Sequence, residues 1–101
     1  METEQIIIEA IKNRKKVLLN YEGWGIRRVA PHAVYFSGDQ IKKLDAFQFD
    51  GFSKTGNLPA WRQFFLDKIS DLPKVTTENF EICEGYRSES EKYINYIYKI
   101  N

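Results

Sequence analysis

The stretch RRVAPHAV, Arg27 to Val34, decides how the rest of the chain is read. It reads as a β-strand that carries two adjacent arginines, is interrupted by Pro31, and is followed at once by the chain's only histidine, His32. Proline has no N–H to give to a ladder, so Pro31 belongs at an edge or a bend, where regular pairing ends. A period of two places Arg28, Ala30 and His32 on one face and Arg27, Val29 and Pro31 on the other. A bulge at the proline resets that phase. Arg27 and His32 can therefore share one pocket only if the strand bulges near Pro31, whereas a regular strand pairs Arg28 with His32.

Upstream, Thr3 to Lys15 predicts a short amphipathic helix: Thr3 is a capping residue, acids lie early, bases crowd the end, and Ile7, Ala10, Ile11 and Arg14 share a face. The period then changes. Val17 to Tyr21 is rich in β-formers and leads through Gly23-Trp24-Gly25 into a second strand, Ile26 to Phe36. Downstream, Ser37-Gly38-Asp39 is a turn, and Gln40 to Phe49 is a third strand whose Leu44 and Ala46 look inward. Asp50 to Ala60 has no apolar period and reads as a long loop. Trp61 to Asp67 is a fourth strand, and KISDLPKV holds a turn and a short fifth one. The tail is open to a helix from Ser88, but Tyr and Ile dominate Tyr93 to Ile100 and favour a last strand.

That order predicts one domain over 1–101: a helix over about 3–15, a β unit over about 16–82, and an extension over 83–101 that carries the last strand. The expected fold is mainly β, a small, strongly bent antiparallel sheet or partly open barrel with the helix packed over one end. At 101 residues, 43% hydrophobic and 15% aromatic, there is one core and no room for two domains. No window nears the run of about 18 apolar residues a membrane span needs, and the start, METEQIII, is acidic where a signal peptide is basic. The single Cys83 makes neither an internal disulfide nor a Cys-based zinc site, which fits a reducing, cytoplasmic setting. A formal charge of +1 argues against binding nucleic acid by bulk electrostatics and leaves a local basic patch open.

Catalytic signatures are missing: there is no Gly-x-Ser-x-Gly, no phosphate loop and no metal-ligand spacing, and nothing marks Cys83 and His32 as a nucleophile pair. No enzyme, metal or cofactor is expected. Arg27, Arg28, His32 and Arg62 do fall on or beside strands, together with Tyr21, Trp24 and Trp61. Guanidinium forks hold phosphates and aromatic faces stack on bases, so this mixture suits a nucleotide or oligonucleotide pocket. The bland alternative puts the arginines on solvated faces and the aromatics in the core.

IIIEAIKNRKKVLLNYEGWGIRRVAPHAV resembles the start of a WYL domain: a helix with an Ala-Ile pair, a strand ending in Tyr, a turn, and an Arg-containing strand running into Pro. KKLDAFQF stands where that family's Trp-Tyr-Leu strand falls, and WRQFFLDKISDL is similar to its Arg-x-Phe strand and basic-Ile turn. APHAV, AFQF, SKTGNLPAW, GYRSES and NYIYKI resemble a subgroup of short, stand-alone WYL-like proteins. The naming tripeptide is Lys42-Lys43-Leu44 here, so no contact made by the family's Trp and Tyr carries over. The resemblance implies an SH3-like (Sm-like) barrel that senses ligands in bacterial or phage regulation, binding nucleotides or short single-stranded nucleic acid through a basic pocket. It implies no recognition helix, since only the sensor module fits. Position by position, Tyr21, Arg27 (with Arg28 as neighbour), His32 and Arg62 match the family's pattern, and Lys68 takes its basic turn position. The resulting expectation is a non-enzymatic ligand-binding module. The alternative is a protein-interaction or assembly module, a homo-oligomer or the partner of a regulatory protein, in which open edges or the Tyr-rich last strand pair with another chain.

Overall fold

A computed structural model describes residues 2–53 and 56–101. The predicted loop over 50–60 includes Lys54 and Thr55, which lie outside the described residues. The fold is mainly β, with one N-terminal helix and a six-stranded antiparallel sheet that does not close. No described helix is long and apolar enough to cross a membrane.

Helix α1, Glu2–Lys12, buries Ile7, Ala10 and Ile11, spaced to fall on one stripe. It begins before Thr3, which therefore lies inside the helix and is not its cap. It also ends earlier than the expected Lys15. Asn13 closes the last turn onto the Glu9 carbonyl through both its backbone and its side chain, and Arg14 at φ 54° turns the chain out of the helix.

The strands are β1 (Lys15–Tyr21), β2 (Ile26–Phe36), β3 (Lys42–Gly51), β4 (Ala60–Phe65), β5 (Ile69–Asn79) and β6 (Tyr96–Lys99). The order is β4-β3-β2-β1-β5, with β6 added to β2. The tail is thus a strand, as its Tyr and Ile content predicts. β5 is eleven residues long rather than short, and the expected end of β4 is instead a 3-10 turn, Leu66–Lys68. That one turn joins the sheet's two edges, so the sheet must curl for β4 to reach β5. The Phe65 N–H donates to the Tyr21 hydroxyl at 2.9 Å and helps hold the curl. Register shifts in the β1–β5, β2–β3 and β2–β6 ladders supply the local bends.

Pro31 lies in a central strand, not at an edge, and the pairing explains how. On one side β2 is paired throughout with β3. On the other, Ile26 to Val29 pair with β1 and Ala33 to Tyr35 pair with β6. Pro31 falls in the gap between the two partners, where an N–H would have no acceptor. The gap's carbonyls are satisfied otherwise: His32 Nδ1 bonds the Ala30 oxygen at 2.8 Å, and the Ile100 N–H bonds the His32 oxygen at 3.1 Å.

The main core lies on the sheet face covered by α1 and includes Ile7, Ile11, Val17, Leu19, Val29, Val34, Leu44, Ala46 and Phe64. Leu44 and Ala46 point inward as their alternation predicts. Burying each large side chain here stabilises the fold by about 2 kcal/mol. A smaller cluster of Ala33, Tyr35 and Tyr93, with Tyr86 against it, forms where the C-terminal segment packs.

Candidate functional site

The bulge near Pro31 is present, since β2 and β3 shift register between Pro31 and Ala33. A second shift lies between Arg28 and Val29. The predicted residues separate into three environments, and neither Arg27 nor Arg28 joins His32.

Arg27 turns inward. Its residue is 8% exposed, and its guanidinium lies 5.3 Å from the Tyr21 ring, 5.4 Å from Phe52 and 5.5 Å from Phe64. Among the described residues its side chain's one hydrogen-bond partner is the Gln48 Oε1, at a long 3.4 Å, and its Nε has none. Among the described residues no carboxylate forms an ion pair with it. Burial pushes its pKa down, and the neighbouring positive charge of Arg62 pushes the same way. Several pieces of backbone hold this arrangement. Gln48 is fully buried, and its amide donates to the carbonyls of Asp50 (3.2 Å) and Phe52 (2.8 Å), which turns its oxygen toward Arg27. Gly51, at φ 104°, lets β3 close on β2; a Cβ there would lie 2.3 Å from the Ile26 oxygen and 2.7 Å from the Arg27 Cα.

Arg62, on β4, donates to the Ser53 hydroxyl at 3.2 Å and to the carbonyls of Trp61 (3.3 Å) and Asn57 (3.5 Å). Tyr21 stands edge-on to Phe64 at 4.9 Å, with its pKa raised by burial. Arg27 and Tyr21 are thus brought together, with Arg62 near enough for its charge to act on Arg27. Taking a guanidinium out of water costs several kcal/mol, and a missing hydrogen bond about 1–3 more. Each ring contact offsets about 0.5–2 kcal/mol. The balance leaves a positive centre whose electrostatics an added anion would improve.

Arg28 faces the other way and is half-buried under a double ion pair. It reaches Asp50, its cross-strand partner, at 2.7 Å and Glu78 of β5 at 2.9 Å. Those two carboxylates raise its pKa and occupy its donors.

His32 is fully buried among Trp61 (4.7 Å between ring centres), Phe80 (5.0 Å) and Tyr86 (5.0 Å). Its Nε2 accepts the Cys83 backbone N–H at 3.1 Å, so the ring proton sits on Nδ1 and is donated to the Ala30 carbonyl. Burial holds its pKa down at about 4. The contact with Cys83 runs through that residue's backbone and not its thiol, which hydrogen-bonds the Glu81 carbonyl and whose pKa burial raises.

Of the two lysines in the Lys-Lys-Leu stretch, Lys42 pairs with Glu4 at 2.7 Å and ties α1 to β3, while Lys43 lies over the Phe65 ring. Lys68, in the turn after β4, pairs with Glu22 at 3.8 Å. No group of three or more metal-ligating side chains occurs among the described residues.

Sequence reading missed Gln48 and Asp45. Asp45 is 5% exposed, and its carboxylate accepts the hydroxyls of Tyr35 (2.8 Å) and Tyr93 (2.7 Å) and the ammonium of Lys92 (2.7 Å). Gln48 interrupts the inward Leu44-Ala46 row of β3, which was the available signal for it; Asp45 lies on the opposite face, toward the Tyr35–Tyr93 cluster. No protein-family model, no curated protein and no solved structure matches the chain.

Proposed function

We propose that the chain is a non-enzymatic binding module for a phosphate-bearing ligand, a nucleotide or short single strand, held at Arg27 and Arg62. The observation that carries this reading is the Arg27 guanidinium: buried, ringed by aromatics, and, among the described residues, with one long hydrogen bond and an Nε that has none. A cation kept solely for stability is normally paired when buried. The WYL-like motifs point to the same ligand class and to an SH3-like (Sm-like) barrel acting as a regulatory sensor. The curl that joins β4 to β5 through one 3-10 turn supports that barrel reading.

Calorimetric titration at low salt with nucleoside phosphates and short oligonucleotides tests the reading, with Arg27→Met and Arg62→Ala as variants. Wild type is expected to bind, and each variant to weaken binding at least about tenfold. Arg27→Met is expected to keep or raise stability, by about 1 kcal/mol, because a buried charge gives way to an apolar side chain of similar volume. Loss of binding in a more stable protein separates function from folding. No binding by wild type, or binding indifferent to both substitutions, overturns the reading.

The second reading, an assembly module without a small ligand, has its own observation. Leu72 and Val75 on the edge strand β5 are 57% and 43% exposed. In the Tyr-rich tail β6 is paired with β2 on one side, and among the described residues no strand pairs with its other side, where Tyr96 is exposed.

A further inference from the structure

A cavity of about 270 Å³ opens between β4 and the C-terminal segment, and the residues along it differ in exposure. Its buried end is Asp45 and Tyr93. Its sides are the rings of Trp61 and Tyr86, which lie 26° from parallel with centres 6.1 Å apart. Arg87 and Lys92 are exposed along it, and Arg62 also lines it. Gly85 keeps the space open on the Trp61 side, since a Cβ there would sit 3.0 Å from the indole nitrogen. That nitrogen is engaged with the Glu84 carbonyl at 2.8 Å, which fixes the ring plane.

Each part of this cavity matches a different part of one kind of molecule. Flat aromatic walls suit a planar ring, a carboxylate at the inner end suits N–H donors on that ring's edge, and three cations suit an anion at its outer end. Lys92 can turn from Asp45 to such an anion without leaving a bare buried charge, because the Tyr35 and Tyr93 hydroxyls still hold the carboxylate. We infer that the cavity takes a nucleoside monophosphate: its base against Trp61 and Tyr86 with donors toward Asp45, its phosphate on Arg62, Arg87 and Lys92. The inference rests on the reading of Arg27 and Arg62 as a phosphate-binding centre. Arg62 lines the cavity and acts electrostatically on Arg27.

A Trp24→Phe background leaves Trp61 as the sole indole reporter. Titrating it with adenosine and guanosine 5′-monophosphates, adenosine and inorganic phosphate, by fluorescence and calorimetry together, tests the assignment. A monophosphate is expected to change Trp61 emission saturably, with adenosine and phosphate alone at least about tenfold weaker. Arg87→Ala, at an exposed position, is expected to weaken the monophosphate about tenfold with unchanged circular dichroism. Heat of binding with silent Trp61 emission and an indifferent Arg87→Ala overturns the cavity assignment and leaves the phosphate centre standing. No heat with any phosphate ligand at low salt overturns both.

Discussion

His32 makes two hydrogen bonds that only its neutral form can make together: Nε2 accepts from Cys83 while Nδ1 donates to Ala30. Protonating Nε2 would set two donors against each other in a pocket of rings. Its pKa of about 4, against an ordinary 6.5, therefore links stability to pH with a definite sign. Between those values the unfolded chain binds a proton that the folded chain refuses, so stability is full above about pH 6.5, falls as pH drops toward 4, and levels below it. The span corresponds to about 3 kcal/mol. Urea unfolding at pH 7.5, 5.5 and 4 should show this loss in wild type and not in His32→Asn, which is less stable at pH 7.5 but flatter. An equal slope in the variant would refute the assignment to His32. Arg27 differs in kind, because a guanidinium does not lose its proton in this range and its buried charge persists at every working pH.

At the level of elements, the site depends on how closely the end of β3 lies against the start of β2. Gly51→Ala forces a Cβ into backbone at a left-handed φ, and it is expected to cost on the order of 3 kcal/mol, readable as a drop in the denaturant midpoint. A change below about 1 kcal/mol would show that the ladder relaxes there, and the tight packing around Arg27 with it. Elements with a buried face were legible in the sequence: the Ile7-Ala10-Ile11 stripe, the inward Leu44 and Ala46, and the strand character of the tail. The full length of β5 was not, because Pro73 breaks its alternation and most of its residues are exposed, so no apolar period carries the expected short strand on to Asn79. The nearness of Arg62 to Arg27 was half legible: residue types and spacing pointed to both. Their separation from Arg28 and His32 hangs on two register shifts, and a slip of one residue exchanges the faces of a strand. The Asp45 network needed the C-terminal segment folded back over β3, a long-range fact that no local pattern encodes.

For the molecule as a whole, the question is whether its open sheet recruits a second copy. The edges are β4, only six residues long, the outer side of the four-residue β6, and β5, which carries Pro73 between its exposed Leu72 and Val75 and a left-handed Asp71 at φ 59° just before them. Short edges, proline and local kinks all obstruct strand addition. Light scattering at about 100 μM is therefore expected to give the mass of one chain, 11.9 kDa. A stable oligomer without affinity for phosphate ligands would favour the assembly reading instead. The second half of β2 is protected differently, by β6 through three paired positions and by the Ile100 N–H on His32. Because that seal is short, it is also exchangeable. At high concentration two molecules can trade β6, each completing the other's sheet with the same contacts, so a domain-swapped dimer is an association this fold permits without exposing any new surface.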